Sequence, residues 1–159
     1  TLTENASRHV AGIPGWMEVA KALETAQIPL PLIYGHNDLL PANFLYANNR
    51  VWLIDFEYSA YSTAMFDLAG LSSNAGFDRD QSLELLILYF SSNPDGGLIQ
   101  ALEAMQCASL LREAMWSMVS ELFLKAPGVD YAAYTASQLD AYSARLDDYQ
   151  SRYGKIAKS

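Results

Sequence analysis

Two short apolar runs, Phe44-Leu45-Tyr46 and Val51-Trp52-Leu53-Ile54, flank Ala47-Asn48-Asn49-Arg50. Aromatic and β-branched residues suit a half-buried strand, and Asn suits a turn. This pattern predicts a β-hairpin. A hairpin here constrains its surroundings, because it sets Asn43, just before the first strand, beside Asp55, just after the second. Two polar segments are thereby gathered at one end: His36-Asn37-Asp38-Leu39-Leu40-Pro41-Ala42-Asn43 and, twelve residues after Asn43, Asp55-Phe56-Glu57. A single Asp after a strand is ordinarily a turn or cap residue, and a single His beside one is ordinarily a hydrogen-bonded core residue. The joint spacing, His-x-Asp-x-x-x-x-Asn followed by a strand ending in Asp-Phe, points to a site.

The remainder reads as helix. Trp16, Val19, Ala20 and Leu23 share one face of a helix predicted over 16–27, ended by Pro29 and Pro31. Leu32–Gly35 is a short strand. Helices follow over 66–75 and 80–90, then one or two over 98–124, and a last amphipathic one over 130–153. Asn93-Pro94-Asp95-Gly96-Gly97 and Pro127-Gly128 are the breaks. The fold class is α+β, predominantly helical, with a small hairpin packed on a helical bundle.

Composition narrows the function. Apolar residues make up 51% of the chain and charged ones 18%, which suits a folded domain and not a disordered one. A net charge of −8 argues against a nucleic-acid partner, which needs clustered Lys and Arg. There is no run of eighteen apolar residues, so no membrane span is expected. Residues 1–11 lack a basic region followed by an apolar core, so no signal peptide is expected. The single cysteine, Cys107, has no disulfide partner in the chain and reads as a small buried hydrophobe. A cytoplasmic location is the expectation.

The two polar segments suit phosphoryl transfer. That reaction needs an acid within reach of the attacking hydroxyl, and Asp38 is placed for it. It also needs oxygen ligands for magnesium, and Asn43 and Asp55 offer an amide oxygen and a carboxylate. Positioning and charge neutralisation then do most of the work.

The motif pair resembles the catalytic and metal-binding loops of the protein-kinase-like fold. In detail, His36-Asn37-Asp38-Leu39 with Asn43, Ile54-Asp55-Phe56-Glu57-Tyr58 and Phe66-Asp67-Leu68 resemble the choline/ethanolamine kinase family, and more loosely the aminoglycoside phosphotransferases. The resemblance runs from about Tyr34 to the end of the chain. It implies a kinase-like C-terminal lobe whose hairpin carries both loops, with ATP as co-substrate and Mg2+ as cofactor. It makes Asp38 the catalytic base with His36 in support. Asn43 and Asp55 become metal ligands, and Glu57 assists through water. Leu45 and Ile54 form the floor under adenine, and Asp67 braces the catalytic loop. Tyr58, Trp116 and Tyr131 match the family's aromatic box for a cationic alcohol, whose ammonium is attracted to ring faces.

The sequence also departs from the family. Animal-type choline kinases carry a second Trp at the position of Glu113, and an acid near the position of Asn74. Glu113 lies three residues before Trp116 on a predicted helix, hence on the same face. It is therefore expected to supply the negative charge that Asn74 does not; its ordinary reading is a partner for Arg112. Ahead of His36 there is no glycine-rich strand-turn-strand and no strand lysine. The expectation is one C-terminal lobe over residues 1–159, cut from a longer protein, with its N-terminal nucleotide lobe as a partner and little turnover by itself. Two alternatives remain open: a kinase for another hydroxylated cation such as an aminoglycoside or thiamine, and a non-catalytic kinase-like binding module.

Overall fold

The computed structural model describes residues 2–5 and 7–156. The ends of the expected 1–159 lobe, together with residue 6, lie outside the described residues. Two compact units are present: Ala26–Gln106, and Thr1–Thr25 with Cys107–Ser159.

In the Ala26–Gln106 unit the hairpin forms around its two asparagines. Strands β2 (Phe44–Ala47) and β3 (Arg50–Leu53) are antiparallel, with Leu45 opposite Trp52 and Ala47 opposite Arg50. Asn48 and Asn49 both take positive φ, 52° and 59°. A two-residue turn of that hand matches strand twist, and Asn tolerates it better than other residues with a Cβ.

A second ribbon was not anticipated. β1 (Leu32–Gly35) pairs antiparallel with β4 (Ala60–Thr63), Tyr34 lying opposite Tyr61. β4 reads Ala-Tyr-Ser-Thr, with a single large apolar side chain, so its sequence carries little strand signal. Its partner is supplied by chain far away in sequence. Tyr34 and Tyr61 point outward and meet edge to face at 5.7 Å. Ile33, on the opposite face, joins the core.

That core is helical. Ala64, Met65, Leu68 and Ala69 recur at helical spacing on α2 (Ala64–Asn74) and meet Leu86 of α3 (Arg79–Phe90) and Ala101 and Leu102 of α4 (Gly96–Phe123). Leu86 is wholly buried, a burial contributing about 2 kcal/mol. The buried amide of Gln106 donates to the hydroxyls of Ser72 and Ser82, at 2.7 and 3.0 Å. α3 starts at Arg79 because Asp78 and Gln81 cap it reciprocally: the Asp78 carboxylate accepts from the Gln81 amide and the Gln81 side chain from the Asp78 amide. Ser91, at φ 53°, ends it.

The expected packing of the hairpin on the helices needs correction. The β1–β4 ribbon takes that place, whereas Leu45, Trp52 and Ile54 remain 41–52% exposed. Only Phe44 and Leu53 of the four-residue hairpin strands are partly covered.

In the other unit, α1 spans Ile13–Glu24, not 16–27. Pro14 falls in the first turn, where its missing N–H costs nothing. Thr25 ends the helix before the prolines are reached, its amide and hydroxyl both donating to the Ala22 carbonyl. Region 98–124 is one continuous helix, α4, uninterrupted by Gly or Pro after Gly97, and the unit boundary falls inside it. α5 (Tyr131–Tyr153) begins after Asp130, whose carboxylate accepts from the Ala133 amide. Leu2, Ala114 and Met118 form the core with Ile13, Trp16, Met115 and Leu139 against them. Cys107 is buried, as expected. Among the described residues no helix is long and apolar enough to cross a membrane.

Candidate active site

The site is organised by one carboxylate that receives two backbone amides. Asp67, on α2, accepts from His36 N–H through Oδ2 and from Asn37 N–H through Oδ1, both at 2.7 Å. Charge-assisted bonds of this length are among the stronger ones in proteins. Gly35 permits the approach. A Cβ there would lie 2.5 Å from the Ser62 hydroxyl and 3.0 Å from both Asn37 Oδ1 and Asp67 Oδ2.

His36 joins the two loops. Its ring is buried, and Nε2 lies 2.8 Å from the Ile54 carbonyl. A carbonyl can only accept, so Nε2 carries the hydrogen. Nδ1 then accepts from the Asp38 amide at 3.3 Å. The imidazole therefore spans from the backbone of Asp38 to the residue before Asp55, with the Phe56 ring 4.6 Å away.

Asn37 was not singled out as a site residue, yet it holds both loops. Its Nδ2 donates to the carbonyls of Tyr58 and Ala60, and its Oδ1 accepts from Ser62. Its φ is 63°, and that of Asp55 is 66°. Such angles cost most side chains about 1 kcal/mol, less for Asn and Asp. The signal in the sequence was the Asn-Asp order in the loop, two residues suited to a left-handed bend.

Asn43 is buried at the end of a 3-10 turn, Pro41–Asn43, and its Nδ2 donates to the Asp38 carbonyl at 3.0 Å. That bond fixes the amide orientation and leaves Oδ1 as the atom for a ligand. The Asn43 carbonyl accepts from Ile54 N–H at 3.0 Å, which extends the hairpin ladder and sets Asp55 at the same end. Asp38 is half-buried; Asp55, Glu57 and Tyr58 are exposed. Two oxygen-bearing side chains, one of them a carboxylate, suit magnesium that shares its remaining positions with phosphate and water. No group of three His, Cys, Asp or Glu that could cage a metal occurs among the described residues.

The expected adenine floor, Leu45 and Ile54, lies on one hairpin face with Trp52, all three partly exposed. Asn74 ends α2, and its Nδ2 is buried with no partner among the described residues.

The remaining predicted residues belong to the other unit. Trp116 and Tyr131 meet edge to face at 6.2 Å. Trp116 is 48% exposed and lines an apolar groove of 460 Å3 with Met17, Leu111, Arg112 and Met115. Tyr131 lines an open cleft of 530 Å3 with Glu121, Val129 and Asp130. Glu113 is buried and accepts from the Arg112 guanidinium at 2.6 Å. Glu121, which the sequence did not mark, accepts from Arg8 and His9. Burial pushes its carboxyl up, but hydrogen bonds from Thr135, His9 and Arg8 outweigh this and hold it below its ordinary 4.5.

The stretch that carries both loops lies within a family match, and similar proteins extend over most of the chain. Residues 14–86 match the choline/ethanolamine kinase family. A probable ethanolamine kinase of Arabidopsis thaliana is 39% identical over 62 residues, 37% of this chain and 17% of that protein. Probable ethanolamine kinase A of Dictyostelium discoideum is 29% identical over 154 residues, 84% of this chain and 44% of that protein. A solved choline/ethanolamine kinase family protein from Mesorhizobium loti superposes with a TM-score of 0.72 at 27% identity, covering 85% of this chain and 45% of its own. The chain thus spans less than half the length of each of these relatives. Its mainly helical fold with small antiparallel sheets is that of choline/ethanolamine kinase structures.

Proposed function

We propose that this chain is the catalytic-loop lobe of an ATP-dependent kinase that phosphorylates the hydroxyl of an amino alcohol, choline or ethanolamine. The observation that carries the reading is the tie between the two loops: His36 bridges the Asp38 amide and the Ile54 carbonyl, while Asp67 takes the amides of residues 36 and 37. Kinship with choline/ethanolamine kinases supports the class of reaction.

In this mechanism Asp38 accepts the proton of the substrate hydroxyl as its oxygen attacks the γ-phosphorus. The bond from that phosphorus to the bridging oxygen breaks, and ADP leaves with the electron pair. Asn43 Oδ1 and the Asp55 carboxylate would hold magnesium, with Glu57 assisting through water. When bound, the ion neutralises phosphate charge. His36 and Asp67 keep Asp38 in register with Asp55. Leu45, Trp52 and Ile54 offer an apolar surface to adenine. Tyr58, and separately the Trp116–Tyr131 pair, offer aromatic faces to a cation. The charge of Glu113 is already met by Arg112, so the ring faces carry more of the recognition than that carboxylate.

The test is ADP release by the full-length protein with magnesium-ATP and choline, ethanolamine, thiamine or an aminoglycoside. Release that depends on choline or ethanolamine is the expected result. Release with only thiamine or an aminoglycoside would keep the reaction and overturn the substrate. No release with any of them would overturn the kinase reading.

A further inference from the structure

Behind Tyr131 lies a buried pair of hydroxyls that the phosphoryl-transfer chemistry does not use. Ser117 on α4 and Thr135 on α5 are both wholly buried. Ser117 Oγ donates to the Tyr131 carbonyl at 2.9 Å. Thr135 Oγ1 lies 2.9 Å from the same carbonyl and 2.8 Å from Ser117 Oγ. The single hydroxyl proton of Thr135 is shared between these two acceptors. Ser117 directly follows Trp116 in sequence, and Ser120 Oγ donates to the Trp116 carbonyl. The pair thus links both rings of the edge-to-face contact, Trp116 through the chain and Tyr131 through its carbonyl. Tyr131 itself lines the open cleft together with Glu121.

A Thr hydroxyl on the carbonyl four residues back is common in helices, but a hydroxyl from a second helix on the same carbonyl is not part of that pattern. The carbonyl of the first residue of α5 already accepts one bond within the helix from the Thr135 side chain, and a second hydroxyl from another helix is added to it. Two buried hydroxyls need partners wherever they sit. Here both converge on one main-chain atom, the carbonyl of Tyr131, and on each other, and so hold the backbone that carries the Tyr131 ring. An apolar side chain of the same shape would fill the space without that directional hold.

We propose that Ser117 and Thr135 are positioning residues for cation recognition: they fix Tyr131 relative to Trp116 and so set affinity for the amino alcohol. The inference rests on the kinase reading given above. Neither hydroxyl touches the reacting atoms, so ATP handling and the chemical step are left alone. Loss of either raises KM for the amino alcohol selectively.

The experiment is steady-state kinetics on the full-length protein with Thr135→Val, Ser117→Ala and Thr135→Ser. One neutral hydrogen bond corresponds to roughly a three- to tenfold change. Thr135→Val and Ser117→Ala should raise KM for the amino alcohol by about that factor, with kcat and KM for ATP held within about twofold. Thr135→Ser, which keeps the hydroxyl, should restore KM. In a Tyr131→Ala background Thr135→Val should add nothing further, because the ring it positions is gone. A wild-type protein without amino-alcohol-dependent ADP release would overturn the kinase reading and this inference together. An active wild type with unchanged KM in Thr135→Val would overturn the inference alone. So would parallel changes in kcat and both KM values that Thr135→Ser does not rescue, since they would make the hydroxyls merely structural.

Discussion

At the scale of single residues, the site depends on close approaches that one methyl group would disturb. Gly35 is the sharpest case, with three polar side-chain atoms within 3.0 Å of where a Cβ would stand. Gly35→Ala should displace Asp67 or Ser62, costing about 1–3 kcal/mol and lowering kcat. Thermal unfolding and ADP-release kinetics check both. Tyr142 makes the opposite case. Its hydroxyl is buried with no partner among the described residues. Burial, and secondarily the neighbouring Cys107, push its phenol up to about 12. The phenol ionises near 10 in the unfolded chain and only near 12 in the folded one. Its contribution is therefore fully present below pH 10 and is lost between about pH 10 and 12. Tyr142→Phe should leave stability unchanged or raise it by up to about 1 kcal/mol, and should flatten that alkaline limb. A clear loss of stability at neutral pH would contradict the reading. Asp38, Asn43, Asp55 and Asp67 were legible as residues because their spacing is unusual. Asn37 and Glu121 were not, because what singles them out is a left-handed backbone angle in one case and partners more than a hundred residues away in the other.

At the scale of elements, the hairpin was legible because its signal is local: apolar strand residues on each side of two asparagines. The ribbon β1–β4 was not, since Ala60–Thr63 takes its strand conformation from a partner 25 to 31 residues earlier, Thr63 lying opposite Leu32. The end of α1 was displaced for a local reason. The prolines after α1 were visible, but the stop comes from the Thr25 hydroxyl. The segment before α1 is held to α4 through Arg8, His9 and Glu121, and through Leu2 in the core. Glu121 has its folded-state value lowered, so it contributes stability above about pH 4.5 that is lost as pH falls through the lowered value. Glu121→Gln should weaken the acid dependence of the melting temperature below pH 5 while leaving a net destabilisation at neutral pH. An unchanged acid limb would show that this anchor contributes nothing. In the hairpin, Asn49→Gly should stabilise by about 0.5 kcal/mol, because Gly takes the positive φ without strain. Urea unfolding reads this out.

At the scale of the whole molecule, a fold of helices and two small ribbons places a carboxylate, an amide and a second carboxylate on loops held by hydrogen bonds and by the buried His36 ring. The loop of residues 36–43 is tied to α2 by Asp67 and to the Ile54 carbonyl, just before Asp55, by His36. The kinase reading was legible because these residues fall within a single stretch of the chain, within the part that matches choline/ethanolamine kinases. The aromatic residues were legible only by position, and their geometry, the Trp116–Tyr131 edge contact, belongs to tertiary structure. The measurement that tests the central claim most directly is the single-turnover rate of phosphoryl transfer to the amino alcohol by full-length Asp38→Asn, beside magnesium-ATP binding by the same variant. The account predicts a rate roughly 10²–10⁴-fold lower with nucleotide affinity retained. A rate within a few-fold of wild type would show that Asp38 is not the base.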